Sequence, residues 1–430
     1  MIYNFLNSYY TESVFGNLQN VALPPKHIED YQKFIPETVS ELKHLGEKLK
    51  GLRLCHVSAT SMGGGVSEIL HSMVPLQNDI GIQTTWYVLP GDEAFFMVTK
   101  NIHNFMQGKE GNLSDEEKQI YLSYNDELAD QIAQIEADIL IIHDPQPAAS
   151  IEKLKKVPHR FKKILWRCHM DTSDPNRSVW DFLFPYLSAY DHVIFSLEEF
   201  SQHAFPKEKM SIITPGIDPL TEKNIPMNRT EALEYIKRVG IKVDDPYIVQ
   251  VSRFDPWKDP LGLINVFRNV KEVFPKLQLV FIGQIASDDP EGEEVLRKMK
   301  EAIGEEKDIF IFTDFDVKGV NAFQQNAFVV FQKSIKEGFG LTVTEAMWKK
   351  KVVIGGNTGG IRLQIQDGVN GYLVNSIEEA SATLSQLLSN PSPMQRISKS
   401  AYESVRTHHL MPHKIRDYFK LFESFHLHTS

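Results

Sequence analysis

FVVFQKSIKEGFGLTVTEAMW (residues 328–348) carries three signals in succession. FVVFQ is a continuous apolar run of strand length. Gly338 to Gly340 form a turn that exposes backbone N–H groups, and LTVTEAMW opens a helix. Strand, glycine turn and helix make the unit from which open parallel sheets are wound. Such sheets take their ligands at the carboxyl ends of the strands.

The same texture extends in both directions. Upstream, strand-like runs occupy 53–59, 84–89, 138–143, 163–169, 192–197 and 210–215, and later 247–253, 277–283 and 308–314. Downstream they recur at 351–355 and 371–374. The segments between are long enough for crossover helices, as in DPLGLINVFRNVKEVF (259–274). Six runs in each half, continuous rather than alternating, predict two parallel sheets covered on both faces. The expected fold class is α/β with two doubly wound, Rossmann-like domains. The divisions are 1–50, a helical extension with Pro36 starting its second helix; 51–213; 214–400; and 401–430, a C-terminal helix returning to the first domain. The seam falls near TPGIDPLTEKNIP (214–226), and residues 111–136 read as an acidic surface helix.

Composition narrows the function. Of 430 residues, 42% are hydrophobic and 24% charged, with a formal charge of −10, which excludes disorder and non-specific nucleic-acid binding. Any anion must be held by a local group of cations. Cys55 and Cys168 are the only cysteines, too few for a disulfide framework or a zinc site. MIYNFLNSYYTES (1–13) lacks the basic and apolar regions of a secretory leader, and no run approaches the ~20 apolar residues of a membrane span. A cytoplasmic location is expected.

Chemistry should follow the strand ends. Gly63, Gly64 and Gly65 lead into a helix after the first run, an arrangement suited to an anion. In VSRFDPWKDP (251–260), Arg253 and Lys258 stand five residues apart at a strand end, and two such cations suit two adjacent phosphates. Glu337 and Glu345 flank the glycine turn. Carboxylates accept well from sugar hydroxyls, so this loop suggests a phosphate between two sugars. IGGNTGGI (354–361) faces the same edge. Taken singly, a tight turn, a solvated cation pair and a dipole-stabilised acidic helix start would each explain one feature without a ligand. A lone histidine at a strand end, such as His169, is more often structural.

Together these residues resemble the retaining glycosyltransferases of the GT-B fold, the group that contains glycogen and sucrose synthases. HDPQP (143–147), WRCHMD (166–171), GGGVSEILHS (63–72) and QKSIKEGFGLTVTEAMW (332–348) are similar to strings of the trehalose glycosyltransferring synthases. Retaining trehalose phosphorylases share several of them. The resemblance covers nearly the whole chain. It implies transfer of glucose from ADP-, UDP- or GDP-glucose to free glucose, giving trehalose, reversibly and with retention. The 51–213 domain would hold the acceptor and the 214–400 domain the donor.

By that resemblance Gly64, Gly65, Arg253, Lys258, Glu337, Gly338, Phe339, Gly340, Leu341 and Glu345 bind the donor. Arg253 and Lys258 neutralise the leaving diphosphate. Glu345 takes the ribose hydroxyls, Glu337 takes the 3- and 4-hydroxyls of the glucose, and His169 stands near its anomeric carbon. Asp144, Gln146, Arg167 and Asp171 are the acceptor candidates, with Trp86 and Asp92 behind them. No residue in these motifs matches a nucleophile on the far face of the sugar, so the implied reaction is front-face attack. No cofactor and no metal site are implied, and Mg2+ would act only as a stimulant through the nucleotide. No nucleic-acid or membrane partner is expected, and a homodimer is the oligomeric option. A trehalose phosphorylase and a related transferase with another acceptor are the alternatives. A non-catalytic nucleotide-sugar sensor is disfavoured, because none of Arg253, Lys258, Glu337 or His169 is missing.

Overall fold

The computed structural model describes residues 16–283, 290–313 and 315–427. The opening MIYNFLNSYYTES stretch, with the expectation attached to it, lies outside these. Two sheets carry the fold. The first contains β1 (Gln19–Asn20), β2 (Arg53–Ser58), β3 (Gln83–Val88), β4 (Ile139–His143), β5 (Lys163–Arg167), β6 (His192–Phe195) and β7 (Met210–Ile212). The second contains β8 (Tyr247–Val251), β9 (Gln278–Ile282), β10 (Ile309–Phe312), β11 (Val329–Gln332), β12 (Val353–Gly356) and β13 (Tyr372–Val374). Every residue of β4, β8 and β9 is buried, as continuous apolar runs in a doubly covered sheet require.

Strand order locates the sites. The second sheet runs β10-β9-β8-β11-β12-β13, all parallel. The chain winds one way from β8 to β10, then jumps back to place β11 beside β8. This is the 3-2-1-4-5-6 order of dinucleotide-binding sheets, and its reversal opens a crevice at the carboxyl ends of β8 and β11. The first sheet runs β1-β3-β2-β4-β5-β6-β7, parallel except for β1 against β3. Its reversal lies between β2 and β4.

One apolar cluster is shared by both halves. It joins Leu42 and Leu45 of the helix Pro36–Lys48, Met73 and Leu76 of the helix Gly65–Asp79, and Ala346 and Met347 of the helix Leu341–Trp348. The last helix, Met411–Ser424, closes it with Ile415, Phe419 and Phe422, packing on the helices Pro36–Lys48 and Gly65–Asp79.

Two local expectations change. The first of the two helices expected in 1–50 is, among the described residues before Pro36, only a single 3-10 turn, Ile28–Tyr31. Pro36 forces the residue before it out of the helical region, and Ile35 has φ −145°. The acidic helix Asp115–Ile132 begins at a reciprocal cap, with Glu117 N–H donating to Ser114 Oγ at 3.1 Å and Ser114 N–H to Glu117 Oε2 at 2.8 Å. It is not merely a surface element, because Tyr121, Tyr124 and Leu128 are buried. Among the described residues no helix is long and apolar enough to cross a membrane.

Candidate active site

The crevice of the second sheet is built from two loops. After β8 the chain places Arg253, then turns at Asp255, whose carboxylate accepts from Trp257 N–H at 2.9 Å. Asp259, held at φ 50°, caps the next helix. Lys258 is fixed between these two turns, and Gln250 donates to its carbonyl at 3.0 Å. Lys258 Nζ donates to Glu337 Oε2 at 2.7 Å. Ser334 Oγ and Gln332 Nε2 donate to the same oxygen at 3.1 and 3.3 Å. Arg253 Nη2 lies 3.6 Å from Asp255, with its side chain about two-fifths exposed at 39%.

After β11, Gly340 has φ 83°, a conformation that glycine adopts without strain, and the helix Leu341–Trp348 starts immediately. Phe339 is buried, and its carbonyl accepts from Gln364 Nε2 at 2.6 Å. Gly360 N–H donates to the Glu337 carbonyl at 3.0 Å, so the loop is stapled from the β12 side.

Glu345 is 0% exposed. Its Oε1 is 2.7 Å from Lys223 Nζ, which also contacts both oxygens of Glu68 at 3.1 Å. Burial alone would raise the Glu345 pKa, but Lys223 and Lys349 outweigh it and hold the carboxyl below its ordinary value. Lys349, donating to Asn224 and Gln324, is pushed down by burial to about 7. Glu68 sits, partly exposed, on the helix after the first glycine turn, so this ion group ties the two halves together.

The first half meets the second at the same place. Gly63 has φ 80°, and Gly64 opens the helix Gly65–Asp79 with no side-chain cap. A Cβ on Gly65 would stand 3.5 Å from Leu341 Cδ1, so the two glycine turns are neighbours across the crevice. Asp171, 1% exposed, accepts from Ser173 N–H and Oγ with one oxygen and from Glu337 N–H, at 3.3 Å, with the other. Gly338 lies so close to the first half that a Cβ there would be 2.1 Å from the His169 carbonyl.

Asp144 has φ 61°, and its Oδ1 accepts from His169 N–H at 2.7 Å. Burial pushes its carboxyl up to about 7. His169 Nε2 contacts His143 Nδ1 at 2.9 Å, while His169 Nδ1 is buried without a partner among the described residues. Gln146 Oε1 is in the same condition. Buried polar atoms are nearly always satisfied, so atoms left over at strand ends mark a place for ligand or solvent.

The structure therefore brings together Gly65, Lys258, Glu337, Gly338, Leu341, His169, Asp144 and Asp171. Arg167, 1% exposed, donates from Nη2 to Ser196 at 3.1 Å, its Nε and Nη1 are buried without a partner among the described residues, and its charge acts on His169 and Asp144. Trp86 is wholly buried with its Nε1 on Ser58, and Asp92 caps a helix by accepting from Phe95 N–H. Sequence reasoning passed over Lys223, Glu68, His143 and His56. The last two were visible as histidines within or ending the strands of 53–59 and 138–143. Among the described residues no group of three or more His, Cys, Asp or Glu could hold a metal ion.

Residues 56–202 match the family described as "Trehalose synthase, N-terminal domain", and residues 232–404 match "Glycosyl transferases group 1". The chain is 43% identical over 405 residues to the trehalose synthase of Thermococcus litoralis, covering 93% of this chain and 97% of that one. It is 42% identical over 411 residues to the trehalose synthase of Rubrobacter xylanophilus, covering 94% and 98%. A trehalose phosphorylase of Pleurotus pulmonarius is 28% identical, with 80% of this chain and 54% of that one covered. Among solved structures, an E. coli trehalose-6-phosphate protein bound with UDP-2-fluoro glucose superposes with a TM-score of 0.71 at 15% identity, over 87% of this chain and 98% of that one. A sucrose-phosphate synthase from Thermosynechococcus elongatus superposes with a TM-score of 0.68 at 14% identity, over 87% and 99%.

Proposed function

The chain belongs to the trehalose synthase family of GT-B glycosyltransferases, a trehalose-related hexosyltransferase, and from that premise we propose its reaction: retaining transfer of glucose from a nucleoside diphosphate glucose to free glucose, giving α,α-1,1-linked trehalose. The observation that carries this is the Lys258–Glu337 contact at 2.7 Å, at the switch point of the second sheet and against the His169 loop of the first. A cation for a departing phosphate and a carboxylate for sugar hydroxyls sit side by side there.

In this reading Arg253 and Lys258 stabilise the diphosphate as negative charge builds on its leaving oxygen. That oxygen takes the acceptor's proton on the same face of the sugar. Glu337 accepts from glucose hydroxyls, and N–H groups of the 338–341 turn complete the cradle. Glu345 takes the ribose, which requires its carboxylate to share or exchange its bond to Lys223. The 51–213 and 214–400 divisions act as acceptor and donor domains, with Asp144 and Gln146 toward the acceptor.

The test is incubation of glucose with ADP-, UDP- and GDP-glucose and with glucose 1-phosphate separately, and of fructose and sugar phosphates with the same donors, with the linkage of the product read by NMR. An α,α-1,1 disaccharide from at least one donor is expected. Product only from glucose 1-phosphate, with free phosphate released, would replace the reading by a phosphorylase. Transfer to fructose or a sugar phosphate but not to glucose would reduce it to a generic transferase.

A further inference from the structure

Three histidines lie in line beneath the candidate site. His56 is on β2, His143 ends β4, and His169 follows β5. The strand order β2-β4-β5 makes them lateral neighbours although they are 87 and 26 residues apart in sequence. His56 Nδ1 meets His143 Nε2 at 2.9 Å, and His143 Nδ1 meets His169 Nε2 at 2.9 Å. The inner end is Gln77, wholly buried on the helix Gly65–Asp79, whose Oε1 lies 3.3 Å from His56 Nε2. The outer end is His169 Nδ1.

A neutral imidazole has one donor and one acceptor nitrogen, so a chain of them has a direction. Burial holds all three rings neutral, with His56 at about 4 and the other two well below the ordinary value. With the Gln77 amide oriented as in the structure, its oxygen faces His56 and can only accept, which puts the His56 proton on Nε2. His56 Nδ1 then accepts from His143 Nε2–H, and His143 Nδ1 accepts from His169 Nε2–H. Reversing His56 or His143 would set donor against donor and acceptor against acceptor, one mismatch on each side, and reversing His169 would set its Nε2 lone pair against that of His143 Nδ1.

We propose that Gln77, His56 and His143 are positioning residues that fix His169 as its Nε2–H tautomer and present its Nδ1 as a hydrogen-bond acceptor for a substrate hydroxyl. The role at the substrate rests on the glycosyl-transfer reading; the tautomer assignment does not. The His169 ring is held from one side by this chain, and its backbone N–H by the Asp144 carboxylate. The ring therefore reaches the reaction already oriented and with its Nδ1 lone pair unengaged by any protein donor among the described residues, which is the pre-organisation that electrostatic catalysis needs.

The experiment is nitrogen-15 NMR of histidine side chains in the full-length protein near pH 7.5, with His169 assigned by loss of its signals in His169→Gln. All three rings should show the Nε2–H pattern. An Nδ1–H or imidazolium signature on His169 would overturn the proposal, whatever the enzyme's substrate. Gln77→Leu leaves the His56 N–H with no acceptor, and the chain relieves this by reversing. That variant should move His169 toward Nδ1–H and lower kcat about tenfold, with the donor KM within about twofold. Gln77→Glu, whose carboxylate still accepts, should keep the tautomer and retain kcat within about twofold. Unchanged tautomer and kcat in Gln77→Leu, or equal loss of kcat in both variants with the tautomer intact, would reduce Gln77 to a packing residue.

Discussion

Lys258 answers to two partners, the Glu337 carboxylate it touches and the diphosphate it is proposed to receive. Its removal should therefore separate folding from turnover. Lys258→Ala leaves Glu337 with Ser334 and Gln332, so the stability loss should stay within ~1–3 kcal/mol. Turnover should fall about 10²–10³-fold, as when an oxyanion donor is deleted, and Arg253→Ala should behave alike. Steady-state rates beside thermal unfolding decide the matter, and a normal kcat in both variants would remove the diphosphate role. The buried histidines make a second prediction at this scale. Unfolded, each binds a proton near pH 6.5. Folded, burial keeps His56 at about 4 and His143 well below its ordinary value, while burial and then Lys414 keep His409 at about 3. These values are depressed, so below pH 6.5 the unfolded state holds more protons and stability falls as pH falls, by ~1.4 kcal/mol per pH unit for each ring. Urea midpoints at pH 7.5, 6.5 and 5.5 should decline in that order, and a rise toward pH 5.5 would contradict it. The residues legible in the sequence are those on strand-end loops, Arg253, Lys258 and Glu337, because loop chemistry is local. His56 and His143 read as core because their partnership depends on strand order, which no local pattern carries. Lys223 was likewise hidden, since it sits in the linker and gains meaning only where Glu68 and Glu345 converge.

The helix Met411–Ser424 shows what one element does for the whole. Its buried face, Ile415, Tyr418, Phe419 and Phe422, lies on helices of the first half although it comes last in the chain. Backbone bonds from Ile217 N–H to the His409 carbonyl, 2.9 Å, and from Met411 N–H to the Ile217 carbonyl, 2.7 Å, fix where it crosses. Phe419→Ala should cost ~3–5 kcal/mol, since the side chain is fully buried. Turnover at low temperature should stay near normal, because Phe419 does not touch the candidate site. Denaturant unfolding would measure the first effect, and a loss under 1 kcal/mol would mean that the helix is dispensable there. Most elements were readable for a simple reason. Twelve runs correspond to β2 through β13; in β4, β8, β9, β11 and β12 every residue is buried, and a strand buried on both faces needs apolar residues on both, while β3 and β7 are only partly covered. β1 escaped notice because two exposed residues pairing antiparallel at an edge impose no such demand. The 163–169 run overshoots β5 by two residues, since Cys168 remains in the buried core after the ladder ends and His169 follows it into the strand-end loop.

At the scale of the molecule, the two halves meet through backbone as much as through side chains. Glu337 N–H reaches Asp171, and Gly338 lies against the His169 carbonyl with no room for a methyl group. Gly338 does not have a left-handed φ, so its own conformation does not demand glycine. The demand comes from the opposite half, which makes Gly338→Ala a wedge. Built in place, the new Cβ would overlap a backbone oxygen at 2.1 Å, and a carbonyl in the loop after β5 cannot turn aside as a flexible side chain could. The relief available is for the halves to separate by an ångström or more. Separation would carry Lys258 and Glu337 away from His169 and Asp144, and misplacement on that scale commonly costs about 10²-fold in rate. The hydrophobic cluster shared by the halves includes the helix Leu341–Trp348 just beyond this loop, so the melting temperature should fall by several degrees, while the cluster's greater part, away from the loop, keeps the chain folded. Gly338→Ala should therefore lose most of its kcat while remaining folded. Its radius of gyration in scattering, with nucleotide sugar and glucose present, should exceed that of the unaltered protein. An active variant with an unchanged radius would mean that the contact is incidental and that the reaction does not need the halves this close.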